Sequence, residues 1–299
     1  IAFVSALVLG LLIHLPVMLS DIPNHDGLSS MYFDQNMITS GRWFLTVACG
    51  FSSYFTIPWV IGLIGLIWLA LTAAVLTEVL ELTDPVTITV VSGLLVSFPA
   101  LASTFAYVFT MDGYMLALFL AVLAVLFTAK YPRGYLAGAV CLAFSMGIYQ
   151  AYLPFTILLC VYKILLYFME EKGWKEKAKY VCHYLGMGIA GGVLYYVILQ
   201  ILLKLQGRVL DTYQGINSME QMGSGMGILA TIKEMYVDFL AFTVHGNVLV
   251  NNIFSLAACI ILVATVVFLV IRSMIWRKWW KNPAFFVIMI LLGISMPLL

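Results

Sequence analysis

Runs of about twenty apolar residues recur along this chain, separated by short polar breaks, and each is as long as a helix must be to cross a bilayer. A water-soluble domain has no core large enough to bury so much apolar length. Composition agrees: 63% of the 299 residues are hydrophobic and 10% are charged, against roughly 25% charged in an ordinary soluble domain. The chain therefore reads as an all-α, polytopic bundle of transmembrane helices, a single membrane domain over residues 1–299. Nine spans are expected, at about 1–19, 55–81, 86–106, 112–129, 134–150, 152–169, 181–204, 249–271 and 283–299. The chain opens on Ile1 and closes on Leu299, both in apolar runs, so both ends look cut from a longer chain.

Lysine and arginine set the expected orientation. With the first residue inside, Lys130, Arg133, Lys172, Lys175, Lys177, Lys179, Arg272, Arg277, Lys278 and Lys281 fall in inside loops, and Lys163 snorkels towards them. Arg42, Lys204, Arg208 and Lys233 are left on the outer face. A formal net charge of +1 gives no reason to expect nucleic acid as a partner. The inside segments 169–177 and 275–281 read as amphipathic surface stretches that anchor to anionic lipid headgroups.

Two long connections, 20–54 and 205–248, lie on the outer face and are expected to fold down as a cap. The glycine-rich stretch 222–227 reads as a turn before an amphipathic run at 228–244. Cys49, Cys141, Cys160, Cys182 and Cys259 are scattered without a Cys-x-x-Cys pair and read as packing residues. Three or four His, Cys or carboxylate ligands at zinc spacing are not visible, so neither a metal nor another cofactor is expected.

Chemistry concentrates in the first outer loop, where Asp21, His25, Asp26, Asp34 and Arg42 stand within 22 residues. Ionisable groups at a membrane are costly enough to suggest function. Each also has a plainer role. Asp21 caps the first span. Asp26 sits in Asn24-His25-Asp26-Gly27, a turn signature, or acts as a base with His25 beside it. Asp34 lies in Met31 to Ile38, whose apolar spacing suits a helix on the membrane surface, so it is either a solvated side chain or a site residue. Gly41 lets the backbone approach closely before Arg42, and an anion is the favoured partner of that guanidinium. Asp112 opens the fourth span as a helix-terminal carboxylate or a site residue. Tyr149, Gln150 and Tyr152 form a tight hairpin; the tyrosines suit an aromatic belt, while Gln150 has no such duty and is free to contact a polar ligand. His14 is expected to pair inside the bundle, and His245 to lie at the surface.

Asp26 after a first span, Ser40-Gly41-Arg42-Trp43 closing the loop, Asp112-Gly113-Tyr114 opening a span and Gly147-Ile148-Tyr149-Gln150-Ala151-Tyr152 in a hairpin together resemble the Gtr-type glucosyltransferase domain, one of the multi-spanning GT-C glycosyltransferases. The resemblance covers roughly the first 170 residues. It implies transfer of glucose or a similar hexose from a polyprenyl-phosphate donor to a cell-surface glycan or lipid-linked acceptor, on the outer face of a bacterial plasma membrane. It also implies Asp26 as the catalytic base, with His25, Asp34, Arg42, Trp43, Asp112, Tyr149 and Gln150 around the substrates. A transporter or flippase for lipid-linked sugars, a glycan polymerase or acyltransferase, and a membrane scaffold are the alternatives.

Overall fold

The computed structural model describes all residues except 21–24, 31–32, 56, 212–227, 246–252 and 296–299. Its elements are α1 (Ala2–Leu19), α2 (His25–Ser30), α3 (Leu45–Ala48), α4 (Pro58–Val79), α5 (Pro85–Ser97), α6 (Pro99–Thr104), α7 (Met111–Lys130), α8 (Gly134–Ile148), α9 (Leu153–Met169), α10 (Trp174–Gln206), α11 (Ile228–His245), α12 (Ile253–Trp276) and α13 (Pro283–Ser295), with 3-10 turns at Ile38–Ser40, Gln150–Tyr152 and Trp279–Lys281. The described residues contain one isolated β-bridge, Met37 to Arg42, and otherwise helices and turns.

Among the described residues six helices, not nine, are long and apolar enough to cross a membrane: Ala2–Leu19, Pro58–Val79, Met111–Lys130, Gln150–Met169, Trp174–Gln206 and Leu256–Trp276. The expected span at 86–106 is broken because Phe98 precedes Pro99 and is pushed to extended backbone, φ −60° and ψ 127°. The thirteen residues of α5 therefore rise only about 20 Å. The run at 134–150 stops at Ile148, where Tyr149 turns extended into the hairpin, leaving fifteen helical residues or about 22 Å. Of the ninth run, the described helix is thirteen residues long. Near the surface, Trp174 onward already belongs to α10 instead of forming a separate surface segment.

In the connection 20–54 the short helix lies at 25–30, over the expected turn, with Asp26 in its first turn, where a carboxylate suits the exposed N–H groups. Residues 33–37 are not helical. Their polar groups bond locally, Gln35 Nε2 to Phe33 O at 3.2 Å and Met37 N to Gln35 O at 2.8 Å, in competition with a helical ladder.

Two compact units emerge, residues 1–160 with 178–216, and residues 161–177 with 217–299. In the first, small residues bring helices close. A Cβ on Gly62 of α4 would lie 2.5 Å from Met18 Cγ of α1, and one on Gly65 would strike Met111 of α7. Ala6, Leu66, Leu69, Ala70, Met115 and Leu118 close the core between them. α8 returns antiparallel along α7: Gly134 stands against Phe127 O, Gly138 against Ala124 O, and Ser145 Oγ donates to Ala117 O at 2.8 Å.

Side-chain pairs define two polar ends of this unit. At one, Lys130 Nζ meets Glu78 Oε1 at 2.7 Å, joining the last turns of α7 and α4. Ser5 of α1 meets Thr89 of α5 there at 3.2 Å, and the α5 cap Asp84 accepts from Thr87 N and Oγ1, each at 2.7 Å, bonds that hold its carboxyl below the usual range. The other end gathers residues 37–54, the start of α7 and the Gln150–Tyr152 turn. Between the ends, the break after α5 leaves Val96 O without its regular helical partner. Buried His14 supplies one at 2.8 Å and stacks flat on Phe105, with centroids 3.8 Å apart, as expected of a histidine paired inside the bundle.

In the second unit, α12 is apolar and exposed on all sides, as a lipid-facing helix would be. Phe168 O at the end of α9 accepts from Lys177 Nζ at 3.1 Å and Asn282 Nδ2 at 3.3 Å. Cations lie over rings around it, Lys172 over Tyr167 at 4.0 Å and Lys281 over Trp280 at 5.5 Å, a pattern suited to headgroup depth.

The two ends of the first unit are expected on opposite membrane sides. In a background without the native cysteines, Ser29→Cys should react with an impermeant thiol reagent on intact cells, while Arg133→Cys should react only after permeabilisation. Labelling of both from outside would rule out the arrangement.

Candidate functional site

The polar end away from Lys130 is built on a closed loop at 37–42. Ser40 N and Arg42 N both donate to Met37 O at 3.1 Å, and Gly41 N donates to Ile38 O at 2.9 Å. Closing it requires Gly41 at φ +79°, the left-handed region that glycine enters without penalty. Space demands glycine as well, since a Cβ there would strike Tyr195 Oη and lie 2.7 Å from Gln150 Nε2. Ile38 seats the loop between Leu199 and Leu203 of α10. The exit of α10 fastens it again, through Asn36 Nδ2 to Gln206 Oε1 at 3.2 Å and Asp211 N to Thr39 O at 2.9 Å.

Arg42 leaves this loop into an aromatic cluster. Its guanidinium carbon lies 5.0 Å from the Tyr149 ring centroid, and Nη1 donates to Tyr114 Oη at a long 3.4 Å. Tyr149 stacks on Tyr114 at 4.4 Å and meets Tyr152 edge-on at 5.5 Å. Arg42 Nε is buried without a partner, and no ion pair to Arg42 occurs among the described residues. Among the described residues the other buried side-chain polar atoms without a partner, Trp43 Nε1, Ser53 Oγ and Thr110 Oγ1, belong to this same end. Buried polar groups are nearly always satisfied, so this concentration makes the end the candidate site.

The region answers to a known family over almost its whole length. The family model described as Glucosyl transferase GtrII matches residues 15–299. The chain belongs to that family. The match runs well past residue 170, where the resemblance of the short motifs ends, so α10 and the helices after it are family features too. No curated protein and no solved structure matches the chain. Membership and the apolar helices make this an integral membrane protein of a glucosyltransferase family, whose chemistry is glycosyl transfer.

Within this GtrII-family bundle, the structure brings five of the expected site residues, Arg42, Trp43, Asp112, Tyr149 and Gln150, to one end of the first unit. Arg42 and Tyr149 touch. Trp43 packs inward, 5.2 Å from Phe144 between ring centroids and against Gly147, where a Cβ would lie 2.6 Å from its indole, and Phe44 N donates to Gly147 O at 2.7 Å. Asp112 is buried: Ser52 Oγ donates to its Oδ1 at 2.6 Å and Gly113 N at 2.9 Å, which ties the turn after α3 to the first turn of α7. Cys49 lies beside it, and burial pushes its thiol up, so it stays protonated as a packing residue. Gln150 gives its amide hydrogens to protein, to Ser40 O at 3.3 Å and Tyr195 Oη at 3.0 Å. Asp26 is half-buried in α2, its carbonyl accepting from Ser29 Oγ at 3.2 Å. Asp34 is exposed between α2 and the loop. The side chains of His25 and His245 fall outside the described residues. Among the described residues, no three His, Cys, Asp or Glu side chains gather into a possible metal site.

Tyr114 belongs to the cluster too, in the Asp112-Gly113-Tyr114 motif of which only Asp112 is an expected site residue, and so does Tyr195, which no sequence motif singles out. Tyr195 sits inside an apolar run, where a phenol must find a hydrogen-bond partner, and that requirement is the one signal it offers.

Gly41→Ala should lower both stability and activity, because left-handed backbone costs a residue with a Cβ about 1–2 kcal/mol and the two side chains crowding Gly41 must also move. Thermal unfolding in detergent beside the same substitution at Gly173, where a Cβ meets nothing within 4 Å, measures it. Equal melting of the two variants would remove the constraint.

Proposed function

We propose that this chain transfers glucose or a similar hexose from a polyprenyl-phosphate carrier to a cell-surface glycan or lipid-linked acceptor, at the outer face of a bacterial plasma membrane. The observation that carries the reading is Arg42, a guanidinium held against Tyr149 with its Nε–H buried and unpartnered. A lipid-linked donor keeps its tail in the bilayer and its phosphate at headgroup level. A cation fixed by rings instead of by a carboxylate is suited to meet that phosphate.

In the proposed reaction Asp26 removes the proton from the acceptor hydroxyl as that oxygen attacks the anomeric carbon. The bond from that carbon to the phosphate oxygen breaks, and Arg42 stabilises the charge gathering on the leaving polyprenyl phosphate. The roles of His25 with Arg42 at the leaving phosphate and of Asp34 in substrate binding are part of the same proposal, as is the absence of a metal requirement. Asp112 and Trp43 serve by holding the loop and α7 in place.

A flippase for lipid-linked sugars is the second reading, favoured by the broken helix at Phe98-Pro99 beside buried His14. That feature has a structural account in the bond from His14 to Val96 O.

Purified full-length chain in lipid nanodiscs, given polyprenyl-phosphoglucose and an acceptor glycan, should release polyprenyl phosphate, and should do so with a chelator present. Transport without release would favour the flippase. Arg42→Lys keeps the charge and loses the planar fork, and should weaken donor use by about 1–3 kcal/mol. Asp26→Asn should lower turnover about 10²–10⁴-fold while donor binding persists, with Asp34→Asn as the comparison. Normal turnover by Asp26→Asn would assign the base elsewhere.

A further inference from the structure

We infer that Tyr195 and Gln150 form a latch that positions Arg42, and that Gln150 acts through this latch and not by touching substrate. The inference rests on the proposed role of Arg42 as the clamp on the donor phosphate.

Hydrogen-bond capacity carries the argument. A glutamine amide has two N–H donors, and those of Gln150 go to Ser40 O at 3.3 Å and Tyr195 Oη at 3.0 Å. Tyr195 has one O–H donor, and it goes to Gly41 O at 3.0 Å. The pair thus takes the carbonyls of the two residues immediately before Arg42. Those carbonyls fix the peptide planes on either side of Gly41, whose positive φ turns the chain so that Arg42 N reaches Met37 O. Two planes and one closing bond leave the Cα of Arg42 a single direction, towards Tyr149 and Tyr114.

Sequence separation makes the latch more than local turn chemistry. Gln150 begins the turn before α9, Tyr195 lies in the second half of α10, and the loop they hold is 110 and 154 residues away in the chain. Fixing a loop from two distant helices is costly in chain entropy unless the loop's position matters. A structural latch and a positioning latch then differ in one measurable way: only the second loses its effect when Arg42 no longer makes its fork to phosphate.

The test is a double-mutant cycle on donor turnover in nanodiscs, with polyprenyl-phosphoglucose and Tyr195→Phe, Arg42→Lys and the combination. Tyr195→Phe removes one hydroxyl and should cut kcat/KM for donor by about ten- to a hundredfold, the scale of a misplaced catalytic group. In the Arg42→Lys background the same change should cost less than about threefold. Gln150→Ala should repeat the pattern, which guards against a folding defect peculiar to one variant, and thermal unfolding of each protein should not follow the activity loss. Equal losses in both backgrounds, or no loss from Tyr195→Phe, would overturn the latch while leaving Arg42 as the clamp. An Arg42→Lys protein with unchanged donor kinetics would overturn the clamp itself and the latch with it.

Discussion

In hydrocarbon there is no water to satisfy a backbone N–H or C=O, so each group must find its partner within the protein, and every departure from the helix has to be supplied with one. Three departures among the described residues of the first unit can be followed. Where Pro99 ends the ladder of α5, the ring of His14 reaches from α1 to Val96 O. Where the chain closes at 37–42, Met37 O takes two N–H groups and the Ser40 and Gly41 carbonyls are met by Gln150 and Tyr195. Where α8 ends, Gly147 O receives Phe44 N. Irregular backbone thus occurs at the places where polar side chains from distant segments are brought to it, and most of these lie at one end of the bundle.

Packing enforces the same geometry from the apolar side. Gly62, Gly65 and Gly138 let α1, α4, α7 and α8 approach until side chains of one helix rest on the backbone of the next, and methionines 18, 111 and 115 fill the remaining gaps. The consequence for the polar end is rigidity. Asp112, fixed by Ser52 and Gly113 N on the first turn of α7, cannot shift without moving Tyr114 two residues on, and with it the ring stacked on Tyr149.

Much of this was legible in the residues and some of it was not, for physical reasons. Helix content and membrane character follow from run length alone, and the pairing of His14 from the cost of an ionisable group in hydrocarbon. The count of spans does not follow, because hydropathy averages over Pro99 and over Tyr149, single residues that end helices inside apolar runs. Arg42 stands out because Gly41 and a dense polar loop announce it. Its neighbours do not: Tyr195 looks like an ordinary span residue, and Gln150 reads as a contact to a polar ligand until its two donors are traced. The short helix at 25–30 was hidden by Asn-His-Asp-Gly, whose turn signature is also compatible with a helix start.

The choice of partners for Arg42 bears on what that residue can do. A carboxylate at contact distance would hold a guanidinium firmly, but it would also neutralise the charge, and any incoming anion would first have to displace it. Stacked tyrosines do something different. A cation over a ring gains about 0.5–2 kcal/mol, enough to bias orientation, while the formal charge stays whole. Tyr149 is itself held between Tyr114 and Tyr152, so the face it offers Arg42 is fixed. The buried Nε–H then remains as a directed donor in a setting where water competes poorly and a charge-assisted bond is strong. Orientation without neutralisation is the property the proposed clamp needs, since it would hold the charge of an anionic leaving group in the transition state and afterwards release it.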